Sequence, residues 1–133
     1  MGSVVAAVLI AGILSALTDW LFMGLLFREA RDSYPEVWWP GVRDGETRGP
    51  VIWSAVLGVV MTGGVVGLCT VAGAATLWSG LTIGLLAFLA GPLAVLLINA
   101  QFVKTDIWLI VSHGLGYLAR LLTAGAVAGL VLS

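Results

Sequence analysis

Three ionisable residues, Asp19, His113 and Arg120, stand inside otherwise apolar stretches of this chain. In a hydrocarbon layer an unpaired charge costs at least about 2.5–3.5 kcal/mol on insertion scales, so such residues face protein and have partners. Asp19 or His113 could exchange protons there, and Arg120 could hold an anionic group. On a helix His113, Tyr117, Arg120 and Ala124 fall at i, i+4, i+7 and i+11, a single stripe. Gly125 and Gly129 lie well around the cylinder from it, so one face reads as polar and inward and another as small and suited to a partner helix.

The elements that carry these residues follow from composition. Of 133 residues 60% are hydrophobic and 10% charged, against roughly 25% charged in a soluble domain. With a mean hydropathy of +1.10, too few polar side chains exist to cover a soluble globule, and lipid is the expected solvent. Apolar runs at 4–27, 51–72, 77–98 and 107–132 are each long enough to cross a bilayer as a helix. The expected fold is a single all-α membrane domain, a four-transmembrane-helix up-down-up-down bundle, because the connections after the second and third runs are short. The first run lacks a basic start and contains Asp19, so it reads as a retained helix rather than a secretory signal.

Arg28, Arg31, Arg43 and Arg48 lie in the 28–49 loop and Lys104 in the last connection, with no basic residue at either terminus. The positive-inside rule then puts both loops in the cytoplasm and both termini outside. Trp39, Trp53 and Trp108 fall near the cytoplasmic headgroups and Trp78 near the outer ones, the usual place of interfacial anchors. Tyr34, Trp38 and Trp39, in a segment that also carries Pro35 and Pro40, suit a short cytoplasmic interfacial element, whose aromatics anchor to lipid or offer a binding surface.

Depth decides whether the ionisable residues can meet. Counted from the cytoplasmic ends, Asp19 lies roughly 12 Å into the layer, His113 about 9 Å and Arg120 about 20 Å. Side chains lean toward the N-terminus of their helix, so Arg120 and Asp19 lean toward each other. One outcome is an ion pair that fixes helix register, with His113 hydrogen-bonded nearby. The other is a polar pathway or pocket lined by Asp19, His113, Tyr117 and Arg120, with Asn99, Gln101, Lys104, Thr105 and Asp106 as its vestibule. Gly12, Ser15 and Ala16 share the Asp19 face. Gly63 with Gly67, Gly80 with Gly84, and Gly125 with Gly129 are small-xxx-small spacings that favour close packing and a homo-oligomer, and Pro92 should kink or locally loosen the third helix.

Other classes fall away. The net charge of −1 gives no footprint for nucleic acid. One cysteine, Cys69, forms no internal disulfide, and one histidine makes neither a metal cluster nor a two-sided haem site, so no metal and no cofactor are expected. No nucleophile, phosphate-loop or zinc-protease motif is present, and no catalytic residue or enzyme activity is expected.

The segment from Asp19 to Phe27, DWLFMGLLF, with Tyr34-Pro35-Glu36-Val37-Trp38 and His113-Gly114-Leu115-Gly116-Tyr117, resembles a family of small bacterial four-helix integral membrane proteins classed as a domain of unknown function. The resemblance implies a multi-pass protein of the bacterial inner membrane and supplies no activity. The functional expectation is transport or binding of a small molecule or ion through the intramembrane polar residues. Its alternative is a non-catalytic accessory or structural subunit acting through protein contacts.

Overall fold

A computed structural model describes residues 1–26 and 40–133, and the expectations placed on Tyr34, Trp38 and Trp39 lie outside these residues. The described chain is all-α: α1 (Gly2–Leu26), a single turn α2 (Pro40–Arg43), α3 (Arg48–Val71), α4 (Leu77–Phe102) and α5 (Ile107–Val131). Among the described residues α1, α3, α4 and α5 are the four helices long and apolar enough to cross a membrane. At 24 to 26 residues each, they run roughly 36–39 Å, more than the ~30 Å hydrocarbon layer.

Local chemistry sets the ends. The α3–α4 turn is closed by Gly73 at φ +66°, where Ala74 N–H donates to the Cys69 carbonyl at 2.9 Å and Gly73 N–H to that of Thr70 at 3.2 Å. This pairing satisfies the last carbonyls of a helix and needs a left-handed residue. Thr76 and Ser79 form a reciprocal capping box at the start of α4. The Asp106 carboxylate accepts from Trp108 N–H at 2.7 Å and starts α5.

Two boundaries differ from the sequence reading. α4 runs on through Asn99 and Gln101 to Phe102, so Asn99 belongs to a helix rather than to a loop. Asn and Gln are tolerated in a last turn that reaches water, and Gln101 donates to its own Leu97 carbonyl at 3.4 Å. α3 begins at Arg48, before Pro50, because a proline in the first turn removes an N–H that has no intrahelical partner. At Pro92 the helix is loosened as expected: Leu89–Leu93 forms a wider π-type turn. A second such segment, Trp20–Leu26, follows Asp19 directly in α1.

The interior is built from small residues. Ala7, Ala11, Ser15, Thr62, Ser112, Ala124 and Ala128 are buried together with a few larger side chains, Val65, Val66, Phe88, Leu109 and Leu121, while many leucines and isoleucines and all of Trp20, Trp53, Trp78 and Trp108 lie exposed on the outer face. That inversion suits lipid, where apolar side chains gain nothing from burial and helices associate by close backbone approach. α5 is the hub: it packs along α1 and α3 on one side and along α4 on the other. On the α4 side a Cβ added at Gly80 would overlap the Gly125 carbonyl, and one at Gly125 would overlap that of Gly80. Gly84 meets the Leu121 carbonyl and Gly129 that of Thr76 in the same way. Gly63 and Gly67 have nothing within 4 Å of the Cβ position.

Replacing Gly125 by Ala should therefore destabilise the bundle by about 1–3 kcal/mol or more, as forced overpacking does, while Gly63→Ala should be nearly neutral. Thermal unfolding of both variants in a mild detergent checks the contrast.

Candidate functional site

Asp19 and Arg120 form an ion pair between α1 and α5, Oδ2 to Nη2. The opposed lean of the two side chains closes the gap that their Cα depths leave, as the sequence arithmetic allows. The third wall is Gly58 of α3, where an added Cβ would stand 2.8 Å from both Nη atoms of Arg120. A larger residue there would push directly on the guanidinium. The pair is uneven: the Arg120 side chain is 9% exposed and that of Asp19 37%.

Hydroxyl groups line the seam of α1, α3 and α5 on both sides of this layer. Ser112 donates to the Leu109 carbonyl at 2.9 Å, and Thr18 to that of Ser15 at 2.8 Å. Such back-bonding is how a helix in lipid ordinarily satisfies a hydroxyl. Ser15 and Thr62 behave differently. Both are buried, and Ser15 Oγ, Thr62 Oγ1 and Arg120 Nε find no hydrogen-bond partner among the described residues. Ser15 lies one turn before Asp19 on α1 and Thr62 one turn after Gly58 on α3. Because the two helices run in opposite directions, both hydroxyls sit toward the same end of the bundle from the pair.

His113 and Tyr117 are half-buried and stack on each other, centroids 6.5 Å apart and planes at 24°, in the half of α5 nearer Asp106. Gly116, between them in sequence, lies against Phe22 of α1, its Cβ position 3.9 Å from that of Phe22. Asn99 is exposed near the end of α4. Trp53 and Trp108, at 66% and 61% exposed, stand within the first two turns of α3 and α5, at one end of the bundle. Trp78 stands at the opposite end, in the first turn of α4. Among the described residues no group of three or more His, Cys, Asp or Glu side chains could hold a metal.

Sequence reasoning missed Gly58 and Thr62. Their signal was present in the i, i+4 spacing of a glycine and a threonine on one face, in a helix without ionisable residues in its middle. No known protein family, curated protein or solved structure matches the chain.

A double-mutant cycle tests the pair. Asp19→Asn and Arg120→Gln should each cost about 3–5 kcal/mol by leaving one charge uncompensated, and the double variant should recover much of that loss. Thermal or denaturant unfolding in mild detergent gives the coupling energy.

Proposed function

We propose that this multi-pass protein binds or transports a small molecule or ion through its intramembrane polar residues, with Asp19 as the group that exchanges protons. The observation that carries the reading is the unevenness of the ion pair. Arg120 is buried and keeps its charge, whereas its counter-ion, Asp19, is more than one-third exposed. Protonating Asp19 would leave the guanidinium without a counter-charge in a lipid-facing bundle, a state that favours either an incoming anion or a rearrangement of the helices. Charge bias and the resemblance noted above support a bacterial inner-membrane location with both termini outside.

A second reading, a non-catalytic structural or accessory subunit, draws on the seating of the guanidinium under Gly58, which suits a fixed register clamp. The expected homo-oligomer keeps Gly63 and Gly67 as its candidate face, since Gly80, Gly84, Gly125 and Gly129 are used within the chain.

Purified protein in liposomes, loaded with a pH-sensitive dye and given a pH step, separates the readings. Under the transport reading the liposomes equilibrate protons faster than empty ones, and Asp19→Asn removes the excess. Equal rates for protein-containing and empty liposomes would favour the structural subunit.

A further inference from the structure

Arg120 Nε, Ser15 Oγ and Thr62 Oγ1 share the α1/α3/α5 seam, and each lacks a partner among the described residues. A buried polar atom without a hydrogen bond costs about 1–3 kcal/mol, so three in one seam call for an occupant. The guanidinium N–H is a donor only, so whatever satisfies it must accept a hydrogen bond, and the two hydroxyls can add two more donors. A metal cation cannot accept and would be repelled by the arginine. Ala11, Ser15, Thr62 and Ala124 are all buried and Gly58 lies directly against the guanidinium, so the seam is closely packed and excludes a large organic ligand.

We propose that this seam binds a small monovalent anion of halide size on Arg120, Ser15 and Thr62, taken up when a proton neutralises Asp19. The inference rests on the ion-pathway reading and names its ligand class. Charge balance sets the coupling: with Asp19 ionised the guanidinium is already compensated, and with Asp19 protonated the anion restores neutrality. The ionisable residues on the helices packed against Asp19 are few. α5 presents His113, Tyr117 and Arg120 and begins at Asp106, while α3 has Arg48 at its start and the buried Cys69 in its last turn. Arg120 is the one in ion-pair contact with Asp19 among the described residues.

The test compares thermal unfolding of the full chain in mild detergent with sodium bromide against sodium gluconate at equal ionic strength, at about pH 3, below the ordinary carboxylate range, and at about pH 7.5. Gluconate is too large for the seam. Bromide should raise the midpoint by about 3–5 °C at the lower pH and by much less at the higher one. In Asp19→Asn the bromide effect should persist at both pH values. In the near-isosteric double variant Ser15→Ala, Thr62→Val it should vanish, and bromide NMR line broadening by the parent protein should vanish with it. Bromide and gluconate acting alike on the parent at both pH values, or an undiminished bromide effect in the hydroxyl double variant, would overturn the site. Proton flux in liposomes without any bromide effect would overturn the anion site while the pathway reading stands. Bromide binding without flux would support the site and remove transport.

Discussion

A guanidinium buried among lipid-facing helices requires a counter-charge and room, and three helices of this protein are placed by those two needs. Asp19 on α1 brings the charge and Gly58 on α3 brings the room. Because α1 and α3 can satisfy Arg120 only at one depth each, the pair sets the register of both against α5. A slide of either helix by one turn, about 5.4 Å, would strand the charge in hydrocarbon. Apolar side chains cannot supply that kind of specification in a bilayer, where leucine against leucine is worth little more than leucine against lipid.

The other side of α5 is held by a different means. Gly80 and Gly84 on α4 meet Gly125 and Gly129 so closely that backbone touches backbone, which maximises dispersion contacts between helices that have no polar group to share. α4 has no ionisable residue along its whole length, and it needs none. One helix thus carries two unlike faces, an electrostatic one toward α1 and α3 and a steric one toward α4. This is why α5 lies at the centre of the bundle although it is last in the chain.

Much of this was legible in the residues. Span number, the all-α class and the loosening at Pro92 follow from run length and from the missing proline N–H. The Asp19–Arg120 contact follows from rise per residue and side-chain lean. Helix order in space was not legible, because short connections predict neighbours in sequence and cannot say that α5 also packs on α1 and α3. Gly58 and Thr62 were overlooked because a glycine or threonine in an apolar run has no charge to announce it, and its role depends on what the facing helix presents. The stripe through His113, Tyr117 and Arg120 is real on the helix surface. Along it the rings of His113 and Tyr117 stack on each other, while Arg120 pairs with Asp19.

The two kinds of packing also differ in what they tolerate. Backbone contact between α4 and α5 leaves no side chain to change rotamer, so these helices can separate only as whole bodies. The α1 side is held by an ion pair whose acidic partner is partly exposed, beside hydroxyls with no partner among the described residues, and by a helix that widens to a π-type turn directly after Asp19. Widened turns let a helix change register locally without losing its whole hydrogen-bond ladder. Any change of state driven by the charge on Asp19 therefore falls on α1 against α5, with the α4–α5 pair as the rigid reference. The softness lies where the polar groups are, and the glycine seam keeps it there.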